Sequence, residues 1–221
     1  MKKFDQELTD LQHRLVQMAE RAESMLALAV DSLDSIDDKT RENIHEQEQE
    51  LDQMQMDVDQ EVVRMLTVFT PVASDLRYLL TTSHIATSLE RMGDQATNII
   101  NSLEMMHLKS VASPQDRLLQ MGKMTREIVH DAVTAYVNKD ADLAESTLGH
   151  DELIDSLNDQ IMKELLNDEV VREMISGPTD IAGRLSQILI GRSLERIGDQ
   201  ACNVCEEVIY MVKGDDVRHG H

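Results

Sequence analysis

An all-α fold is predicted by three features of this 221-residue chain. Aromatic content is 2% with no Trp while Met numbers 14, a composition that suits packed helices better than sheets. The three prolines, Pro71, Pro114 and Pro178, each stand just ahead of a long periodic segment. Twelve residues also occur twice: Ser88–Ile99 returns as Ser193–Val204 with nine positions identical. A repeat spaced at about half the chain length predicts two similar halves. The expected architecture is therefore six long helices arranged as two tandem three-helix bundles, residues 1–108 and 109–221.

The first helix is expected over 4–35, where Asp34-Ser-Ile-Asp-Asp38 with Thr40 supplies turn and N-cap residues. The second spans 39–68 and ends before Pro71, whose fixed φ and missing N–H suit the start of a third helix over 72–107. Pro114 opens the fourth, 115–137, and Asn138-Lys-Asp140 separates it from a fifth over 140–169. Pro178 opens the sixth, 179–213. Leu51, Asp52, Met54 and Val58 correspond to Ile154, Asp155, Leu157 and Ile161 at a spacing of 103, whereas the third helices of the halves align at 105. The two-residue difference falls in the connection before each third helix, where length changes are tolerated.

In the 72–107 helix, Ile85, Leu89, Met92, Ala96, Ile99 and Leu103 follow alternating steps of four and three, the seam of a bundle. Glu90 and Asp94 lie more than about 100° from the centre of that seam and are not expected in the deep core. Gly93 and Gly198 each cost about 1 kcal/mol relative to Ala inside a helix, so their recurrence predicts close approach by a neighbouring helix.

Acidic residues number 42 against 21 basic, a formal charge of −21 that disfavours nucleic acid phosphates and anionic membrane surfaces. The N-terminus has no apolar signal-like run, and no stretch approaches the roughly 18 apolar residues of a membrane span. Two cysteines are too few for a disulfide framework and fit a reducing compartment. A soluble cytoplasmic protein is expected, without nucleic acid or membrane insertion.

Four acidic pairs carry the chemistry. Glu90/Asp94 and Glu195/Asp199 are four apart on the third helix of each half, and Glu48/Asp52 and Asp151/Asp155 recur on the second. Residues four apart share a helix face. If these edges face each other, Glu48, Asp52, Glu90 and Asp94 converge in one half and Asp151, Asp155, Glu195 and Asp199 in the other. Four converged carboxylates demand cations, and Arg91 and Arg196 point about 100° away from the adjacent Glu. A metal then fits, and oxygen ligands admit Mg, Ca, Mn, iron or zinc. A solvated acidic face on a metal-free scaffold is the bland alternative. A carboxylate-bridged hydrolase or oxidase is a third; it would need an open metal position and a proton-transfer group.

The motifs Pro71-x-x-x-Asp75-Leu-Arg77, Leu89-Glu-Arg-Met-Gly-Asp-Gln-Ala-Thr-Asn-Ile99 and Leu194-Glu-Arg-Ile-Gly-Asp-Gln-Ala-Cys-Asn-Val204 resemble those of the PhoU family over essentially the whole length. The resemblance implies two three-helix bundles with multinuclear iron or zinc clusters at E(D)-x-x-x-D pairs. Here those fall on Glu48/Asp52 with Glu90/Asp94 and on Asp151/Asp155 with Glu195/Asp199. It also implies a non-enzymatic negative regulator, a homodimer, that couples the ATPase subunit of a phosphate ABC transporter to a sensor histidine kinase. Many family members carry His where this chain has Gln95 and Gln200, and Asp75-Leu-Arg77 becomes Asp180-Ile-Ala182 in the second half. The halves are therefore not equivalent around Arg77.

Two other patterns compete. Glu42-x-x-His45 and Glu127-x-x-His130 have the spacing of di-iron bundles, but they occupy unrelated repeat positions and are read as exposed His. Cys202-Asn-Val-Cys205 has redox spacing, but it lies well inside a helix, where small core residues are expected. The tail with His219 and His221 reads as a frayed polar end. Met54, Met56, Met65, Met105 and Met106 are read as mostly core filler.

Overall fold

The computed structural model describes residues 2–107, 116–166, 181–215 and 217, and all its regular structure is helical. The helices are α1 (Lys2–Asp31), α2 (Asp38–Phe69), α3 (Ser74–His107), α4 (Asp116–Asn138), α5 (Ala141–Leu148), α6 (Asp151–Leu165) and α7 (Ile181–Lys213). The six-helix plan holds, with α5 and α6 sharing the place of the predicted fifth helix. Gly149 and His150 keep right-handed helical dihedrals, but their turn is closed by a shorter bond from His150 N–H to the Thr147 carbonyl. Pro114, Pro178, His219 and His221 lie outside the described residues.

Periodicity explains the layers. On α1, Leu11, Leu15, Met18, Ala22, Met25 and Ala29 are buried at steps of four and three. The same steps bury Leu118, Met121, Thr125, Ile128, Ala132 and Ala135 on α4. The predicted α3 seam from Ile85 to Leu103 is buried throughout, and Leu79, Ala86, Gly93 and Ile100, seven apart, form a second buried stripe. With two faces covered, α3 packs against α1, α2 and α7. In the other half α7 packs against α4, α5, α6 and α3. The outer helix α2 buries one narrower stripe, Ile44, Leu51, Val58, Val62 and Met65.

The two third helices run antiparallel along the middle of the molecule. His84 lies 3.0 Å from the buried Glu207 carboxylate, and Arg77 stands beside Gly214. Farther along, Asn98 and Ser102 share a pocket with Leu189 and Ser193. An approximate two-fold relation therefore exchanges the halves, with Gly93 and Gly198 near its level. One continuous apolar core joins the bundles.

Turn chemistry sets the ends. Asp37 caps α2 by accepting the Thr40 N–H at 2.7 Å, so the cap lies inside the predicted 34–40 segment. Asp140 accepts the N–H groups of Asp142 and Leu143 at 3.1 and 3.0 Å. Asp140→Ala is expected to cost about 1 kcal/mol, read as a lower urea midpoint, with Asp140→Ser close to wild type. The start of α3 falls later than Pro71 because Thr70 (φ 45°) and Ala73 (φ 50°) both adopt left-handed backbone. At the far end, Gly214 (φ 79°) provides the left-handed C-terminal turn of α7, its N–H bonded to the Tyr210 carbonyl at 2.9 Å.

The Met reading needs revision. Met65 is fully buried and Met54 partly so, but Met56 and Met105 are 46% and 43% exposed. Met56 is out of register with the Leu51, Val58, Met65 stripe and faces outward. The Met106 side chain lies outside the described residues. Cys205 is buried and its thiol is pushed up to about 12 by desolvation, then by Asp131 and Glu206. It stays a protonated core residue, while Cys202 is half-buried.

Candidate metal centre

The first-half site is built where α2 crosses α3. A β-carbon on Gly93 would stand 2.3 Å from Leu51 Cδ2 and 3.3 Å from Met25, so the missing side chain admits both neighbours. Leu51 is buried against α3, and Asp52, next in sequence, is thereby delivered to the rim of the α2–α3 groove. From α3, Glu90 and Asp94 reach the same rim, both half-buried. Ligand oxygens of Asp52, Glu90 and Asp94 all lie within 4.8 Å of one another. Four predicted carboxylates thus become three in close convergence with Glu48 beside them.

Electrostatics register that crowding. Burial raises the Glu90 pKa, and Asp94, Asp52 and Glu48 raise it further, with Arg91 opposing. Asp94 is raised by burial, then by Asp52 and Glu48. Glu48 contacts His45 Nδ1 at 3.3 Å. That imidazole was legible as a residue three before Glu48, on the same helical face, but was read only with Glu42. In the other rival pattern, His130 turns to Glu23 at 3.0 Å.

The second-half site differs. Burial raises Glu195, helped by Asp199 and Asp155, but Arg192 and Arg196 act against the shift. Asp199 is raised by burial and Asp155, again opposed by Arg196. Asn158 Nδ2 donates to Glu195 Oε2 at a long 3.5 Å. Arg192 occupies the repeat position of Thr87, so the second cluster carries a nearby cation that the first lacks. The Asp151 side chain lies outside the described residues. Gly198 is buried on α7, in the repeat position of Gly93.

The donor set is hard and oxygen-rich. Three mutually close carboxylates can replace water around a cation of charge two or more, whereas without one they repel. The residues present therefore fit a carboxylate-held metal ion. Asp52, Glu90 and Asp94, with Glu48 at the edge, are the first-half ligand candidates. Asp155, Glu195 and Asp199 face one another electrostatically in the second half.

Known proteins resemble this chain over nearly its whole length. The PhoU domain matches twice, over residues 15–103 and 118–208. A phosphate-specific transport system accessory protein PhoU homolog of Pseudomonas putida is 36% identical over 98% of this chain and 83% of its own length. The corresponding protein of Escherichia coli is 28% identical, covering 98% of this chain and 88% of the relative. The crystal structure of PhoU from Pseudomonas aeruginosa superposes with a TM-score of 0.88 at 33% identity, covering 96% of this chain and all of that one. The phosphate transport system regulatory protein PhoU from Streptococcus pneumoniae gives 0.86 at 27% identity, covering 97% and 99%. These relatives are named as accessory or regulatory proteins, in keeping with a non-enzymatic role. With its duplicated domain, its helical architecture and whole-length similarity in agreement, the chain belongs to the PhoU family.

Proposed function

We propose that this protein is a cytoplasmic, metal-binding negative regulator of phosphate uptake and of the phosphate-starvation response. It would couple the ATPase subunit of a phosphate ABC transporter to a sensor histidine kinase, working as a homodimer. The halves would divide near residues 108 and 109, and each would hold an iron or zinc cluster. Membership of a family of transport accessory proteins supports the phosphate role. The convergence of Asp52, Glu90 and Asp94 within 4.8 Å supports the metal.

Among the described residues no helix is long and apolar enough to cross a membrane, so contact with a transporter would run through its cytoplasmic subunit. Exposed apolar side chains also recur at equivalent repeat positions, Val63 with Leu166 and Leu80 with Leu185. Packing within the chain does not require them, while contact with partner proteins would use them. Deletion of the gene in its host should derepress a starvation reporter in phosphate-rich medium, and restoring the wild-type chain should silence it. In the same cells the chain should copurify with both partners. A reporter still silent after deletion would refute the regulatory reading.

A further inference from the structure

We infer that the pocket between α3 and α7 lined by Arg192, Arg196, Asn98, Asn101 and Gln95 binds a phosphate-type oxyanion. The pocket measures about 260 Å³. In a chain with 42 acidic residues its described lining contains two arginines and no carboxylate. Arg192 and Arg196 are one turn apart on α7, so their guanidinium groups serve the same wall. No ion pair with a carboxylate holds either of them among the described residues. Glu195 and Asp199, on the same helix, feel them only through space. Opposite, Gln95, Asn98 and Asn101 bring side-chain amides from α3.

Repeat comparison shows that this composition is not a by-product of the fold. The two-fold relation of α3 and α7 places a second set of residues in the equivalent position. There Thr87 stands for Arg192, and Glu206 and Glu207 stand for Asn101 and Ser102. Glu207 is buried and lies 3.0 Å from His84, which stands for Leu189. Equivalent repeat positions thus carry different charge at the two ends of one seam: Arg192 and Arg196 at one, and Glu206 and Glu207 with Arg91 at the other. Arg192 and Arg196 are exposed, so core packing does not call for them there.

The chemistry selects the ligand. Guanidinium presents N–H donors in a planar fork that matches pairs of oxygens on a tetrahedral anion, and such charge-assisted bonds are roughly twice as strong as neutral ones. Amides add donors without adding charge. The ligand class is phosphate, either as the free ion or as the phosphoryl group of a small ester.

The test uses the full chain stripped with chelator, so that metal-bound phosphate contributes nothing and the outcome is independent of the metal proposal. Inorganic phosphate, glycerol phosphate and sodium chloride are titrated separately by calorimetry at constant ionic strength. Wild type should bind one of the two phosphates saturably, and Arg192→Gln/Arg196→Gln should weaken it at least tenfold. Arg91→Gln, at the repeat equivalent of Arg196, should leave it unchanged. Stronger binding of the inorganic ion would identify free phosphate, and stronger binding of the glycerol compound an ester. Saturation by neither phosphate, or equal affinity in wild type and the Arg192→Gln/Arg196→Gln variant, would overturn the inference. The side chains replaced are exposed, and unchanged thermal unfolding will show that the variants are folded.

Discussion

Converting Glu90 and Asp94 to Gln and Asn is expected to remove metal uptake from the first half and to stabilise the metal-free protein. Two carboxylates within 4.8 Å repel by about 3 kcal/mol at an effective dielectric constant of 20. Solvent screening of these half-exposed groups reduces the expected gain to about 1 kcal/mol. The pH dependence has a definite sign. Both carboxyls have raised pKa values in the folded chain, through burial and their acidic neighbours. The folded state therefore holds more protons than the unfolded one between ordinary carboxylate values, near 4, and the raised values. Stability of the metal-free protein falls as pH rises through that window and is recovered in mild acid. Chelated wild type should melt higher at pH 5 than at pH 8. The double variant should lose the first-half share of that difference, keeping the share due to Glu195 and Asp199. Elemental analysis should show its metal content reduced by about half. Wild-type metal content in the folded variant would remove Glu90 and Asp94 from the ligand set.

Gly93→Leu is expected to be the most destabilising single change near the site. Even a β-carbon would stand 2.3 Å from Leu51 Cδ2, with Met25 at 3.3 Å. Both of those side chains are buried, so the strain passes to the packing of α1 and α2 against α3. Overpacking of this kind typically costs 1–3 kcal/mol, and a four-carbon side chain should reach about 3. Chemical denaturation measures the loss directly. The smaller Gly93→Ala gains about 1 kcal/mol of helix propensity against the clash. Combining it with Leu51→Ala should cost less than the sum of the separate changes, because the truncated Leu51 vacates the space the new methyl needs. Strict additivity would mean that the two residues do not compete for that space.

Much of this architecture was legible because helices announce themselves by period. The α3 seam, the breaks near residues 34–40, 71 and 138–140, and the edge position of Glu90 and Asp94 all follow from residue spacing. Gly93 was legible too, as a costly residue repeated where a helix had to come close. What periodicity does not encode is the detail of backbone between helices. Thr70 and Ala73 carry no glycine signal, yet both are left-handed, which delays α3 beyond Pro71. The interruption at Gly149 and His150 leaves dihedrals so near helical that no strong breaker is needed. In the site, spacing put Glu90 with Asp94 and Glu48 with Asp52 on shared helix faces, while the meeting of the two faces was a condition that the structure meets for Asp52, Glu90 and Asp94. Arg192, three before Glu195 on α7, was legible by the same spacing rule but was not read. Asn158 could not be placed, since its bearing on Glu195 depends on how α6 and α7 are rotated. The polar wall formed by Asn98 and Asn101 was hidden for a similar reason: it becomes a pocket only when α7 lies antiparallel across it.

That antiparallel seam also has a genealogical consequence. A chain of half this length, with either repeat alone, would leave the inner edge of its third helix uncovered. Its simplest closed assembly would be a symmetric pair in which one third helix lies head-to-tail on the other. In such a pair every substitution would appear twice, so one polypeptide could not place arginines at one end of the seam and glutamates at the other. Joining the copies in tandem lifts that constraint. The tandem chain has the packing that such a symmetric pair would have, while its two ends are free to acquire separate vocations.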